Sequence, residues 1–290
     1  MRPASVVDVD VKCSLGEGPL WDSERAVALM VDIDAGTLWE LSLAPAPVAT
    51  PVYRCDTTLG AAVHAVGGGF LLAAGGALRH VDAAGRLLRE VPLVPDGVDS
   101  RLNDGGTDPA GRYVVGSLSL DRRSGQERLW RLEHDGEVTV LDDDLTLSNG
   151  LGWSPDGGTF YSVDSVPGTV WVRNYDCESG RVGRRHRLFD IGDGTPDGLT
   201  VDADGNLWVA IWSRGECRCY TAAGEVIEVV TVGAPLATSC AFVNADLSTL
   251  LVTTAGKEVE GVHQTGEAGR PFVVDLPVTG QTTVPWKPPL

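Results

Sequence analysis

The chain of 290 residues carries 40 Asp and Glu against 23 Lys and Arg, a net charge of −17, with 43% hydrophobic residues and 36 glycines. That length and apolar content suffice for a large core without disulfide or metal staples, in one large domain or two ordinary ones. An acidic field repels phosphate backbones and no apolar run reaches bilayer-spanning length, so neither nucleic acid nor a membrane is an expected partner.

From the N-terminus, residues 6–13 (VVDVDVKC) alternate like a strand rather than forming a signal core, so the chain is expected to start here and to stay in the cytoplasm. A unit then recurs, a short apolar stretch, a turn and a second β-rich stretch: GPLWDSERAVALMV (18–31), AVHAVGGGFLLAA (62–74), NDGGTDPAGRYVVGS (103–117), NGLGWSPDGGTFYSV (149–163), DGLTVDADGNLWVAI (197–211) and SCAFVNADLSTLLVT (239–253). Anchored on Asp22, Gly67, Asp108, Ser154, Asp202 and Asn244, the copies are spaced by 45, 41, 46, 48 and 42 residues, the length of a four-stranded propeller blade. A second hairpin follows in each copy, as in ERLWRLEHDGEVTV (127–140), with Asp-Gly or Ala-Gly turns. The sixth copy keeps only GRPFVVDLPV (269–278) for its third strand, and residues 6–13 can supply its outer one. The reading is all-β: one domain over residues 1–290, a six-bladed β-propeller of four antiparallel strands per blade, closed by the N-terminal strand. The six cysteines lack zinc or redox spacing and read as small buried or half-buried strand residues.

In a propeller the first strand of each blade lines the central channel, so equal register positions form a ring. Five residues before each anchor stand Glu17, Ala62, Asn103, Asn149, Asp197 and Ser239. Four of these offer carboxylate or amide oxygens at the start of otherwise apolar strands, where a buried polar group needs a partner. Oxygen donors without Cys or His suit a hard divalent cation, and Glu17 and Asp197 balance its charge. Taken singly, Asn103 and Asn149 each precede a turn and read equally well as turn residues.

The loops sharing that end of the channel are 92–102, 119–127 and 254–268, which bring Arg101 and Asp121 to the rim. Arg101 can fork hydrogen bonds to hydroxyls or a carboxylate. Asp104 reads as a turn residue or as an acceptor behind the ring, Asp164 as a rim residue or a turn cap, and His64 as a channel filler. No G-x-S-x-G elbow, H-E-x-x-H, P-loop or helix-opening G-x-G-x-x-G occurs.

Leu15-Gly16-Glu17-Gly18-Pro19-Leu20-Trp21, Arg101-Leu102-Asn103-Asp104-Gly105, Ser148-Asn149-Gly150-Leu151 and Pro196-Asp197-Gly198-Leu199, with Asp108–Tyr113 and Asp204–Ala210, resemble the senescence marker protein 30 (regucalcin) and gluconolactonase family over nearly the whole chain. The resemblance implies a six-bladed propeller holding one divalent cation and hydrolysing sugar lactones to aldonic acids. It implies Glu17, Asn149 and Asp197 as metal ligands, Asp197 also as general base, and Arg101 and Asn103 as substrate-binding groups. The expected cation is Ca²⁺ first, with Zn²⁺, Mg²⁺ or Mn²⁺ as alternatives. The family's sugar-binding glutamate corresponds to Asp121, one methylene shorter, so Asp121 is the third expected substrate contact. The expected partner is a small sugar lactone; no protein partner is indicated. Two alternatives stand beside this reading: the same fold and metal acting on a hydrophobic lactone, aryl ester or phosphotriester, which paired rim charges disfavour, and a non-catalytic Ca²⁺-binding propeller.

Overall fold

The computed structural model describes residues 1–43, 46–121 and 123–289, and among these there is no α-helix. The hairpin punctuation becomes six sheets. Blade 1 comprises Gly16–Asp22, Val27–Asp32, Thr37–Ser42 and Val48–Arg54; blade 2, Leu59–His64, Phe70–Ala74, Ala77–Val81 and Leu87–Pro92; blade 3, Ser100–Thr107, Tyr113–Ser119, Glu127–Leu132 and Val138–Leu145. Blade 4 comprises Ser148–Trp153, Thr159–Asp164, Thr169–Asn174 and His186–Asp190; blade 5, Thr195–Val201, Leu207–Trp212, Glu216–Tyr220 and Val226–Thr231; blade 6, Ala237–Val243, Thr249–Thr254 and Phe272–Asp275 with Ser5–Val6 as its outer strand. The inner strands touch in cyclic order, the last returning to the first, so the sheets close into a six-bladed β-propeller.

Alternation sends successive side chains of a strand to opposite faces of its sheet, and each face packs in a layer against a neighbouring blade, Val209 and Ile211 toward blade 4 and Trp208 and Ala210 toward blade 6. Between blades 5 and 6 this layer holds Trp208, Cys217, Cys219, Cys240 and Phe242, all buried, and the cysteines are free thiols, as their spacing predicts. The turn anchors are structural. Buried Asp108 accepts from the N–H of Ala110 and Arg112 and from the Tyr175 hydroxyl, and Asp202 accepts from the Trp208 indole N–H. The same capping role decides Asp164, whose carboxylate accepts from the N–H of Thr146 and Leu147 just before the blade 4 inner strand.

Two details differ from the sequence expectation. Closure uses Ser5–Val6, paired with Val273 and Phe272, rather than the whole of 6–13. The facing segment contains Pro271, which has no N–H to extend the ladder. Val7, Val9, Val11 and Cys13 still alternate, but they pack into the layer between blades 6 and 1. Arg2–Pro3 runs parallel to Val230–Thr231 as a fifth strand of blade 5.

The second difference is the blade 2 register. Its turn is closed by Ala65, whose N–H donates to Gly69 O and whose O accepts from Gly68 N, as Asp108 does with Arg112 and Gly111 in blade 3. The anchor is therefore Ala65, not Gly67, and the ring position is Gly60, not Ala62. A Cβ there would lie 2.5 Å from the Asn103 carbonyl oxygen, so the close approach of blade 3 requires glycine.

The C-terminal residues cross the far face of the ring as a strap. Gly280 bridges Asp202, Gln281 Nε2 donates to the carbonyls of Trp153 and Val201, Trp286 bridges Ala65, and Lys287 N donates to Gly111 O. Trp286 is buried in the core layer of blades 2 and 3. The strap closes the end of the channel opposite the ring of polar residues, beneath a chamber of about 420 Å³ that Asp104 and Gln281 help to line.

Candidate functional site

Every inner strand carries one register irregularity against its neighbour, between Glu17 and Leu20, Leu59 and Ala61, Leu102 and Gly105, Asn149 and Leu151, Pro196 and Leu199, and Ala237 and Ser239. A bulge turns a side chain out of the sheet's alternation. Repeated at one level in all six blades, it aims the ring residues into the channel. At Gly150, φ is +38° and a Cβ would lie 2.8 Å from the Asp197 carbonyl oxygen, so the residue after Asn149 is glycine for backbone reasons.

The bulges bring Glu17, Asn103, Asn149 and Asp197 together, each less than 9% exposed, around a cavity of about 260 Å³ also lined by Arg101 and Trp212. A directed chain of hydrogen bonds fixes one side. Arg101 Nη1 donates to Leu102 O (2.9 Å) and Asn103 Oδ1 (2.7 Å). Asn103 Nδ2 donates to Ser148 O (2.9 Å) and Asn149 Oδ1 (2.7 Å), and Asn149 Nδ2 donates to Ser165 Oγ (2.9 Å). Asn149 Oδ1, which lines the cavity, keeps a second acceptor site unused.

The opposite side is under-satisfied. Glu17 Oε2 accepts only from Gly18 N at 3.0 Å, and among the described residues no group donates a hydrogen bond to the Asp197 carboxylate. Burial and the nearby Asp104 charge push the Glu17 carboxyl up to about 8. Burial, then the charges of Glu17 and Asp104, hold Asp197 well above the usual carboxylate range, and desolvation pushes Asp104 up to about 6. Arg101 and Lys257 act against these shifts at both Glu17 and Asp197. Burial lowers the affinity of Arg101 for its proton, while Asp34, Glu17 and Asp197 support it.

Two buried carboxylates with free lone pairs and an amide oxygen locked in place form an oxygen set that fits a hard divalent cation. No cluster of three His, Cys, Asp or Glu suited to a metal occurs among the described residues; here the third oxygen comes from an amide. Asn103 spends its amide on Arg101, Ser148 and Asn149, which fits a role beside such a cation rather than on it.

The structure does not bring Asp121 to this cavity. Its carboxylate accepts from Ser119 Oγ and from Arg123 Nε (2.7 Å) and is 44% exposed. Arg123 in turn reaches Ser100 Oγ at 3.0 Å, which ties the loop back onto blade 3. His64 lies at the other end of the inner strand, 2.9 Å from Asp22 and 3.0 Å from Arg25. Sequence reasoning missed Trp212 and Ser165, which carry no motif, and Lys257, whose rarity as one of three lysines was the available signal.

The chain is 36% identical over 284 residues to pentonolactonase XacC of Haloferax volcanii, covering 94% of each chain. It is 32% identical over 270 residues to regucalcin of Danio rerio, covering 91% of each. The solved structure of a calcium-binding protein, regucalcin, from Agrobacterium tumefaciens superimposes with a TM-score of 0.88 at 28% identity over 98% of both chains. No helix among the described residues is long and apolar enough to cross a membrane. Residues 15–256, which hold the whole polar ring, match the SMP-30/Gluconolactonase/LRE-like region, and the chain belongs to that family.

Proposed function

We propose that the chain, acting as one propeller domain over residues 1–290, is a divalent-metal-dependent hydrolase that opens sugar lactones to aldonic acids. The observation that carries this reading is the under-satisfied carboxylate pair, Glu17 and Asp197, facing a locked amide oxygen of Asn149 in a cavity with room for a single sugar ring. The pentonolactonase and calcium-binding names of its relatives support the substrate class and the cation, with Ca²⁺ first and Zn²⁺, Mg²⁺ or Mn²⁺ as alternatives.

Glu17, Asn149 and Asp197 would hold the cation, which when bound supplies Lewis-acid polarisation of the lactone carbonyl and positive charge for the developing oxyanion. Asp197 accepts a proton from the attacking water at its carboxylate oxygen. Arg101, fixed by Leu102 and Asn103, keeps N–H groups for the lactone's oxygens, and Asn103 holds both Arg101 and Asn149 in place. Asp121, paired with Arg123 outside the cavity, would join this set only through a movement of its loop.

A second reading has one observation in its favour. Leu15, Ile33, Leu118, Leu147 and Trp212 form an apolar collar in the cavity, which suits a lactone or aryl ester with a hydrophobic body. Acid release from aldonolactones and from phenyl acetate by metal-depleted protein, with Ca²⁺, Mg²⁺, Mn²⁺ and Zn²⁺ added back, decides between them. Metal-restored turnover of aldonolactones supports the first reading; turnover of the ester alone supports the second, and neither substrate turning over removes both.

A further inference from the structure

The mouth of the cavity between blades 1 and 6 carries a polar cluster that none of the proposed catalytic groups uses. The loop after Thr249–Thr254 is pinned there, with the N–H groups of Gly256 and Lys257 both donating to Ser14 O at 3.0 Å. Lys257 Nζ lies 3.4 Å from Asp34 Oδ2, and Ser14 Oγ donates to the same oxygen at 2.7 Å. Ser14 and Asp34 directly adjoin Leu15 and Ile33 in sequence, two residues that line the cavity and are themselves joined by Ile33 N donating to Leu15 O. The ammonium is therefore held at Asp34, one residue away in sequence from the lining.

We infer that Lys257 is a specificity-determining residue, which leaves Asp34 to hydrogen-bond the hydroxyl substituents of a polyhydroxylated lactone held between it and Arg101. This rests on the lactone-hydrolase reading above and names how the same site selects its substrate. At 3.4 Å the contact with Asp34 is near the outer limit of a hydrogen bond. With both side chains more than a third exposed, such a pair adds little stability, so exchanging it for a ligand costs little.

Arg101 approaches from blade 3 and is immobilised by Leu102 and Asn103, whereas Lys257 stands between blades 6 and 1 on a flexible stem with three donors. Arg101 in blade 3 and Lys257 between blades 6 and 1 therefore stand on different sides of the ring, and the charges of both are felt by Glu17 and Asp197. A lactone with its carbonyl toward the ring meets a rigid donor on one flank and a mobile one on the other. In this structure Asp34 occupies the mobile donor.

The test uses the metal-loaded protein with two lactones, D-xylono-1,4-lactone, which bears hydroxyls, and δ-valerolactone, which bears none. Lys257→Met raises KM for the xylonolactone by about tenfold, the loss of one charge-assisted hydrogen bond, with the KM for valerolactone unaffected. Lys257→Arg recovers part of the loss, and Asp34→Asn, which frees the ammonium, lowers KM for the xylonolactone alone. An unchanged KM in Lys257→Met, or an equal rise for both lactones, overturns the assignment. If the parent protein hydrolyses neither lactone, the hydrolase reading fails first and the role of Lys257 goes with it.

Discussion

Asn103 Nδ2 donates to Asn149 Oδ1 at 2.7 Å, and this bond joins blade 3 to blade 4 inside the ring. Because Asn103 Oδ1 simultaneously accepts from Arg101, one amide positions both the Asn149 side-chain oxygen and the Arg101 guanidinium. A residue of this kind acts through its neighbours.

Asn103→Ala is expected to weaken Ca²⁺ binding about 10- to 100-fold, as loss of a group orienting a metal ligand does. It is also expected to lower kcat/KM, since Arg101 loses one of its two acceptors. Calorimetric titration of the metal-depleted variant measures the first effect. Binding equal to that of the parent would show that Asn149 is oriented without Asn103.

The metal-free protein should lose stability as pH rises. Glu17 moves from its ordinary 4.5 to about 8 on folding and Asp104 from 3.8 to about 6, so the folded chain holds these protons more tightly than the unfolded one. Their contribution is fully present below the unfolded values and is lost as pH rises through the folded ones. Between pH 5 and 8 the Tm of metal-free protein should fall, and the fall should shrink in Glu17→Gln. Saturating divalent cation should remove it, because binding to the folded state alone stabilises it and most strongly where the carboxylates are ionised. Scanning calorimetry across that pH range, with and without Ca²⁺, tests this; a Tm independent of pH in metal-free protein contradicts it.

Turnover should disappear in Asp197→Asn, which keeps the volume and removes both the proposed proton acceptor and one of the two negative charges of the Glu17–Asp197 pair. The same variant relieves repulsion with Glu17 and Asp104, so its metal-free form should melt higher than the parent at pH 8. The two effects have opposite sign, which separates a functional carboxylate from a structural one. Residual kcat above one-hundredth of the parent's would take the proton transfer away from Asp197.

The ring was legible in the sequence because turn anchors and ring residues keep one offset in five blades, from Glu17 and Asp22 to Ser239 and Asn244. It failed in blade 2, where Gly67, Gly68 and Gly69 make the turn position ambiguous and the ring residue, Gly60, has no side chain to announce itself. The alternation of Val7, Val9 and Val11 correctly signalled burial, but could not tell a paired strand from a segment packed between blades. The Arg123 that holds Asp121 is a pairing between neighbours in one loop, and nothing in residue type distinguishes it from a solvated pair. The strap was invisible for a related reason: its hold on the ring is mostly through backbone atoms.

Asp121 is half-exposed and paired with Arg123 outside the cavity, so Asp121→Ala should change kcat/KM for an aldonolactone by less than about threefold, the range of an exposed ion pair. Arg101→Met, by contrast, removes a half-buried guanidinium that lines the cavity and should raise KM at least about tenfold. Steady-state kinetics on both variants compare the two rims directly. A tenfold rise in KM for Asp121→Ala would show that the loop swings in when substrate binds.

The strap makes its own prediction. Trp286 is 1% exposed, packs edge-on against His80 and donates its backbone N–H to His64 O. Truncating a large buried aromatic costs about 3–5 kcal/mol through lost burial and the cavity left behind, so Trp286→Ala should shift the urea midpoint strongly downward. The polar ring lies at the other end of the channel, so kcat of the folded fraction should stay within about twofold of the parent at 25 °C, as expected for distant independent sites. Urea unfolding followed by fluorescence, paired with kinetics on the same preparation, tests both halves. A loss of kcat without a loss of stability would mean that the strap shapes the site rather than sealing the fold behind it.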